Sequence, residues 1–525
     1  MQFGNDVAKA LEVMRKEKEI CRDLVSNDAV EAGCRLAGVA ENLWDGLKGS
    51  IIELLESEIP YEYPSIAVWW YSILMGIKKD PEIFQKFFYY VKKNRKGFSL
   101  NTQYFLYYQF VSLMFQFQEL NIQKIKIEMW EYRREIVEEF AKKVTVPLEM
   151  IPQEERNDDL TVVITEQFLL EQHGPTKTAL DRCKVLMQKM DQQVLLINTG
   201  EVLTRVGAIP FYDNAIGSYN NSQEKEQKWK GVVVPYYQCD NNMPNIEELD
   251  HLLSKIRSMA PGHIVLIGRG GILGDLANKM VPALVVGLGP SELCDTCAEY
   301  QTLGRKMNEA DIEILKAVGH TKNHVIESIF TSSLKPQTEH ITKQMVEIPE
   351  DKFLIIIVGT RLDVEVDDKF LRMLEEIMET NMVFGFLGSF YKYEDYISRF
   401  PRLRRQSVFF GFCKDILSWM EICDLYVNPI RSGGGTSCVE AMFKGVPVVT
   451  TGYGDVAVNA GGEFCVKDYK EMQNKILQYY NDKEYYDLMS EKAKERAELL
   501  LDTETEFVRI MREMDRRESE RMQGV

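Results

Sequence analysis

The amino-acid sequence predicts an α/β protein in which an all-α domain precedes two doubly wound units that face each other across a cleft. The first 150 residues carry aromatic-rich segments at helical spacing and few β-branched runs. From residue 160 short apolar runs alternate with amphipathic stretches, and a second such series starts at residue 353. These observations predict four regions: an α-helical domain (1–155), a first α/β unit (156–345), a second α/β unit (346–480) and carboxyl-terminal helices (481–525).

The amino-terminal region is predicted to be helical because its apolar residues recur at helical spacing. Examples are PEIFQKFFYYVKKN and SLNTQYFLYYQFVSLMFQFQEL. The last segment, NIQKIKIEMWEYRREIVEEFAKKV, alternates apolar and charged positions, which predicts a surface helix that leads into a linker.

The two α/β units are predicted from short apolar runs that have the length of buried strands. The first unit contains LTVVIT, QVLLINT, WKGVVVPY, HIVLIG and ALVVGLG, and the second contains KFLIIIVGT, MVFGFLG, SVFFGF, DLYVNP, VPVVTT and GEFCV. Strands that alternate with helices form parallel, Rossmann-like sheets covered on both faces. The segment SLKPQTEHITKQMVEIPEDK between the units is the predicted hinge. Ligands bind such sheets at the carboxyl ends of the strands, so two facing units predict a binding cleft.

Charge and hydropathy argue against several classes of function. The 525 residues carry 80 acidic and 63 basic side chains, a formal net charge of −17, so the chain as a whole repels phosphate backbones and no nucleic-acid partner is expected. The longest apolar segments are shorter than the roughly 20 residues that span a bilayer, so no transmembrane segment is expected. No signal peptide is recognisable, and ten cysteines without a regular framework indicate reduced thiols. We therefore expect a cytoplasmic protein.

Three glycines in RSGGGTSCVEAMFKGVPVVT lie where a predicted strand ends and a helix begins. Glycines let the backbone approach a ligand, and the amino terminus of a helix favours negative charge, which together suit a diphosphate. Thr436 and Ser437 would add hydroxyl donors. Glu440, one turn later, would repel phosphate and suits a ribose diol instead. A tight strand-to-helix turn capped by Thr436 is the alternative explanation of the glycines alone.

The residues around this loop resemble a known family. DLYVNP, SGGGTSCVEA and GVPVVTT resemble the carboxyl half of glycosyltransferases with the GT-B fold, over roughly residues 346 to 500. The glycine loop is most similar to that of O-GlcNAc transferase and the bacterial protein N-glycosyltransferases, and more loosely to GT4-type enzymes. The resemblance implies a nucleotide-sugar donor bound by the second unit, an acceptor protein or glycan bound by the first, and no metal or other cofactor.

The resemblance also implies roles for individual residues. The glycine loop would hold the donor diphosphate, Glu440 the ribose and Arg361 the leaving phosphates, while the loop around FFGFCKDI would contact the base. The implied donor site consists of Arg361, Gly434, Gly435, Thr436, Ser437 and Glu440, with Phe412 and Cys413 in the base-binding loop.

Two positions depart from the GT4-type pattern. Those enzymes commonly carry a lysine five residues after the arginine, where this chain has Val366. They also carry a second glutamate eight residues before Glu440, where this chain has Ser432. These departures place a GT4-type retaining mechanism in doubt, whereas the resemblance to O-GlcNAc transferase tolerates both.

The acceptor side offers one candidate catalytic residue, His173. It lies in EQHGPTKTALDRC, a predicted strand-to-helix turn that points at the cleft, and the ordinary pKa of histidine suits a general base. The alternative is a turn residue without a catalytic role. The pair Cys294 and Cys297 has no second pair beside it, so we expect no metal site.

Three functions are consistent with these residues. The leading hypothesis is a glycosyltransferase that uses a UDP-hexose or UDP-N-acetylhexosamine without a metal. The second is a UDP-N-acetylglucosamine 2-epimerase, which also has a glycine-rich loop in its second unit. The third is a catalytically silent relative that serves a protein glycosylation system as a binding partner, which the residues at 366 and 432 would explain.

Overall fold

The structure is a computed structural model that describes residues 45–523, apart from 170–172, 202–223, 240–242, 378 and 380, together with scattered positions before residue 45. Within this part of the chain, no helix combines the length and the hydropathy that a membrane span requires.

Five helices form the amino-terminal region from residue 45 onward. Side-chain caps fix where two of them begin: Asp80 accepts from the amide of Glu82, and Ser99 accepts from the amide of Thr102. Aromatic rings fill the space between them, as where Phe87 meets Phe110 edge-on at 5.0 Å. The helices are α1 (Asp45–Ser57), α2 (Pro64–Ile77), α3 (Pro81–Lys93), α4 (Leu100–Gln116) and α5 (Gln123–Ala141).

Helix α5 is not the surface helix that its alternating sequence predicts. Trp130 and Arg133 are fully or almost fully buried. Arg133 pairs with Asp275 of the first unit at 2.7 Å, with both side chains removed from solvent. The guanidinium therefore keeps its charge partner without reaching water, and the helices share one hydrophobic core with a face of the first sheet.

The first unit contains an eight-stranded sheet in the order β3-β4-β2-β1-β5-β6-β7-β8. All neighbours are parallel except β3 and β4, which form an antiparallel pair. Its strands are β1 (Asn157–Thr165), β2 (Gln193–Asn198), β3 (Glu226–Trp229), β4 (Val232–Gln238), β5 (Pro261–Ile267), β6 (Ala283–Val286), β7 (Tyr300–Leu303) and β8 (Val325–Glu327). Its helices are α6 (Gly174–Lys189), α7 (Ile246–Met259), α8 (Gly271–Ala277) and α9 (Glu309–Ala317).

The second unit contains a six-stranded parallel sheet in the order β11-β10-β9-β12-β13-β14. Its strands are β9 (Phe353–Gly359), β10 (Met382–Gly388), β11 (Ser407–Gly411), β12 (Leu425–Val427), β13 (Val448–Thr451) and β14 (Cys465–Val466). Its helices are α10 (Leu362–Glu365), α11 (Asp368–Glu376), α12 (Tyr393–Ile397), α13 (Pro401–Arg404), α14 (Ile416–Met420), α15 (Gly435–Phe443), α16 (Gly454–Ala460) and α17 (Tyr469–Asn481).

Two long helices complete the chain and pack on different units. Helix α18 (Lys483–Leu501) places Met489 in the core of the second unit. Helix α19 (Thr503–Met522) returns to the first unit, where Phe507 and Met511 join the core under strands β1 and β2. The predicted fold class is confirmed, with helices before two parallel-rich sheets. The exact domain boundaries stay predictions.

Candidate functional site

A cleft of about 700 Å³ separates the two units. The first turn of α6 lines it from the first unit, and the end of β9 and the first turn of α15 line it from the second. Both walls are therefore built at the carboxyl ends of parallel strands, as the sequence predicts.

The glycine loop requires glycine for steric reasons. Gly434 has φ +96°, and a Cβ there would lie 2.5 Å from a guanidinium nitrogen of Arg431. A Cβ on Gly435 would lie 2.8 Å from Nδ2 of Asn459. Helix α15 begins at Gly435 itself, so its first amide groups, which lack partners within the helix, lie at the cleft. This arrangement can bind an anion.

The two hydroxyls after the glycines differ in availability. Thr436 lines the cleft, and within the described residues its hydroxyl has no hydrogen-bond partner. Ser437 is buried; its hydroxyl donates to the carbonyl of Gly434 at 3.0 Å and lies 2.9 Å from the hydroxyl of Tyr426. Thr436 is therefore the better hydroxyl donor, while Ser437 holds the loop.

Sequence reasoning missed Arg431, which supports this loop from beneath. Its buried guanidinium donates to Glu365 Oε2 at 2.7 Å, to Asn428 Oδ1 at 2.7 Å and to the carbonyl of Val358 at 2.6 Å. Arg431 thus ties the glycine loop to the end of β9. The only sequence signal is an arginine next to the glycines, which alone does not separate a ligand contact from a structural one.

Arg361 lies in the cleft as predicted. It pairs with Glu365 at 2.8 Å, and its guanidinium lies 4.9 Å from the ring centre of Phe115 on helix α4. Burial opposes ionisation of Glu365, but the charges of Arg431 and Arg361 outweigh it and lower the pKa of that carboxyl. The helical domain therefore reaches the cleft at Phe115, which the sequence did not indicate.

Glu440 and Lys177 line the cleft from opposite units. Within the described part of the chain, neither side chain makes a hydrogen bond. Burial raises the pKa of Glu440 to about 7, although the charge of Lys177 opposes this. Burial likewise lowers the pKa of Lys177, with Glu440 as the strongest opposing charge. Both groups are thus free to contact a ligand between them.

His173 precedes the first helical residue of α6 and is next to the cleft-lining residue Gly174. Its own side chain is not among the cleft-lining residues; Nδ1 lies 3.4 Å from the hydroxyl of Thr176. Burial and, secondly, the charge of Lys177 lower the pKa of His173 to about 4. The imidazole is therefore neutral at pH 7, and its catalytic role stays a prediction.

The predicted base-binding loop also borders the cleft. Phe412 is 66% exposed there, and Cys413 is half-buried beside it. The next carboxylate, Asp415, accepts from the amides of Thr338 and Glu339 at 2.6 and 3.0 Å, which fixes the segment between the units against this loop.

The two units also touch at the rim of the cleft. Ser291 of the first unit donates to Asp455 of the second at 2.8 Å. Burial, opposed by this hydrogen bond, raises the pKa of Asp455 to about 7. Among the described residues, no group of three or more histidine, cysteine, aspartate or glutamate side chains has the arrangement of a metal site.

The positions that depart from the GT4-type pattern face different surroundings. Val366 is 2% exposed and packs in the core of the second unit. Ser432 lies in the glycine loop, with Oγ 3.1 Å from the hydroxyl of Tyr453. No cation reaches the cleft from position 366, whereas Lys177 supplies one from the other unit.

Comparison with known proteins identifies the fold. Residues 339–496 match the family model described as glycosyl transferases group 1. A search of curated proteins returned no match. A solved structure of an O-GlcNAc transferase variant from Thermobaculum terrenum is similar, with a TM-score of 0.56 and 12% sequence identity over 98% of this chain and 97% of that chain.

Two further solved structures align with part of the chain. A glycosyltransferase from Rickettsia africae has a TM-score of 0.49 and 11% identity over 68% of this chain and 98% of its own. The Anabaena protein HepE in complex with UDP has a TM-score of 0.48 and 14% identity over 68% of this chain and 99% of its own. With the family match and the full-length similarity, the predicted resemblance to GT-B glycosyltransferases is confirmed.

Proposed function

We propose that this GT-B glycosyltransferase transfers a sugar from a nucleotide sugar, a UDP-hexose or UDP-N-acetylhexosamine, to an acceptor protein or glycan. The observation that carries the proposal is the glycine loop at the start of α15, which has Arg361 beside it on the same wall of the cleft and Lys177 on the opposite wall. Amide groups and two cations suit a diphosphate, and Glu440 suits the ribose diol beyond it. We further propose that the reaction needs no metal or other cofactor and takes place in the cytoplasm.

The proposed reaction replaces one bond at the anomeric carbon by another. An acceptor hydroxyl or amide attacks this carbon, and the bond to the diphosphate breaks with its electron pair moving to the phosphate oxygen. Negative charge therefore grows on the leaving group, next to Arg361, Lys177 and the first amides of α15. Fixed positive charge at that place stabilises the transition state more than the ground state.

His173 is the proposed general base. Its imidazole is neutral at pH 7 and can therefore accept a proton, but burial lowers its pKa to about 4, so the bound acceptor has to raise this pKa for His173 to act as an efficient base. Phe412 and Cys413 are proposed to contact the uracil base at the other end of the donor. Their position on the cleft wall supports this.

A silent binding partner is the second candidate, because specific positions favour it. Val366 is buried where related enzymes carry a lysine, and Ser432 replaces a glutamate. Such a protein would retain nucleotide binding or lose it, but it would release no UDP from a UDP-sugar in the presence of any acceptor.

The experiment that tests the proposal is a thermal-shift and calorimetric screen against UDP and a panel of UDP-sugars, followed by an assay of UDP release. We expect UDP to stabilise the protein, because a ligand that binds only the folded state raises its apparent stability. Glu440→Gln should weaken binding, while Glu498→Gln, an exposed residue outside the cleft, should not. Binding without turnover would favour the silent partner, and neither binding nor turnover would reject the transferase.

A further inference from the structure

A second cavity of about 370 Å³ lies beside the cleft, between helices α4 and α5 and the loops of the first unit. We name it the side cavity. Phe115 lines both the cleft and the side cavity. Ser291 and Tyr453 also line the side cavity while contacting residues of the second unit: Ser291 bonds Asp455, and Tyr453 bonds Ser432 of the glycine loop. A molecule in the side cavity would therefore lie next to the proposed donor.

The charged groups that line the side cavity occur in pairs. Lys126 lies 2.9 Å from Glu292, Arg269 lies 2.7 Å from Asp295, and Arg305 lies 2.6 Å from Asp311. These are all the charged residues of the lining, and three cations balance three anions. The cavity therefore selects neither an anion nor a cation, in contrast to the cleft, where Lys177 forms no ion pair with any described residue.

The side cavity nevertheless offers hydrogen bonds to a polar ligand. Arg269 uses Nε for Asp295, and within the described residues its Nη groups have no hydrogen-bond partner. Glu292 is 46% exposed and has room for further donors, because a carboxylate offers about four acceptor positions. Uncharged polar side chains, three of them amides, and apolar side chains such as Met114 and Met129 line the remainder. About half of the lining side chains are polar and the others are apolar or aromatic, so the cavity can hydrogen-bond a small hydroxyl-rich molecule and also contact its apolar faces.

The lining does not suit an extended peptide. Peptides are commonly bound by pairing with a strand edge or by laying a helix in an apolar groove. The described residues of the lining belong to helices and loops, and none of them lies in a strand. Residues of α4, α5 and α9 and of the loops of the first unit surround a volume of only about 370 Å³, so a ring-sized group fits better than an extended chain.

We propose that the side cavity is the acceptor site and that the acceptor is a neutral, hydroxyl-rich carbohydrate. This inference rests on the proposed function and chooses the glycan from its two acceptor classes. An acceptor hydroxyl that projects past Phe115 reaches the donor in the cleft. Its oxygen bonds to the anomeric carbon, its proton passes to the general base, and the nucleoside diphosphate leaves with the bonding electrons.

The test uses a substitution that fills part of the side cavity and leaves every residue that lines the cleft unchanged. Ala310 is exposed on α9 and lines the side cavity, whereas Ala317, the last residue of the same helix, is exposed outside it. Ala310→Trp and Ala317→Trp form a matched pair. Each is measured for UDP binding by calorimetry, and for transfer from UDP-sugars to methyl and octyl glycosides or to peptides containing Ser, Thr and Asn.

We expect wild type and Ala317→Trp to bind UDP and to glycosylate at least one neutral glycoside. Ala310→Trp should bind UDP equally well, which shows that it is folded, and should transfer at least tenfold more slowly. Equal transfer by both variants, transfer to peptides alone, or UDP binding without binding or glycosylation of any glycoside would overturn the acceptor site. Absence of UDP binding by wild type would instead reject the proposed function.

Discussion

Single residues from both units supply the charge of the cleft. The cleft positions of Arg361 and Glu440 can be predicted from the sequence, because Arg361 follows a recognisable strand and Glu440 lies one helical turn after the glycine loop. Lys177 lies in a turn that the sequence places at the cleft, but its closeness to Glu440 depends on how two distant units meet. A residue's position at the cleft is thus predictable when its own unit forms that wall, and less so when the contact requires another unit.

Lys177→Met should weaken the binding of UDP by about 10- to 150-fold, because one charge-assisted hydrogen bond to a phosphate contributes roughly 1.5–3 kcal/mol. Uridine, which has no phosphate, should bind equally to wild type and variant. Isothermal titration calorimetry measures both ligands. Lys316→Met, an exposed lysine on α9, is the control. An equal loss for uridine and UDP would show that Lys177 supports the fold rather than the phosphates.

Glu440 should make donor binding depend on pH. Its carboxyl has a raised pKa of about 7 in the free protein, so roughly half of the molecules are protonated at pH 7. A ribose diol donates hydrogen bonds and favours the ionised form, so affinity should rise as the pH rises. Between pH 6 and pH 8 we expect an increase of about tenfold.

The measurement uses a UDP-sugar rather than UDP, since the terminal phosphate of UDP titrates in the same range. Glu440→Gln should remove the pH dependence. Asp455→Asn is the control, because burial raises that pKa to about 7 as well. If Asp455→Asn flattens the profile and Glu440→Gln does not, the ribose contact is assigned to the wrong carboxylate.

At the scale of elements, the glycine loop and the start of helix α15 can be predicted from the sequence. The buried residues that hold the loop in place cannot. The glycines predict a close backbone approach, and Gly434 indeed has a left-handed conformation. The guanidinium that occupies the space beneath it belongs to Arg431, whose partner Glu365 comes from α10. No local pattern connects these two residues, because the contact exists only once β9 and β12 pair.

Arg431→Met should lower the free energy of unfolding of the second unit by about 3 kcal/mol, because removal of one partner leaves buried polar groups of the other uncompensated. Glu365 keeps Arg361, which limits the loss. Denaturant unfolding measures the change. Arg372→Met, an exposed arginine on α11, should change stability by no more than about 0.5 kcal/mol. Equal effects of the two substitutions would show that the buried ion pair is not what stabilises the loop.

Helix α5 shows why a helix can be predicted correctly while its solvent exposure is predicted wrongly. Its existence follows from helical spacing, but its charged residues suggested exposure. Arg133 is nevertheless buried, because Asp275 of α8 neutralises it and Tyr107 accepts a further hydrogen bond at 3.1 Å. A sequence pattern shows which residues carry charge, but not whether a partner elsewhere makes burial possible.

At the scale of the whole molecule, the last helix, α19, follows the second unit in sequence but packs on the first unit. The sequence predicts carboxyl-terminal helices but not their destinations, since amphipathicity shows which face is buried and not what covers it. Met489 on α18 packs in the second unit, whereas Met511 on α19 packs in the first. The chain therefore forms the first unit, then the second unit, and finally contributes helix α19 to the first unit.

Met511→Ala should therefore destabilise the first unit, although this residue follows the whole of the second unit in sequence. Met511 is fully buried, and such truncations cost about 2–5 kcal/mol. Hydrogen exchange should become faster in β1 and β2, with little change in β9 and β10, because local opening reports the unit that lost its packing. Met489→Ala, which is also buried, is the matched control and should have the reverse effect. If both variants instead exchange faster in the same unit, α18 and α19 stabilise that unit together. Helix α19 would then not stabilise the first unit independently of α18.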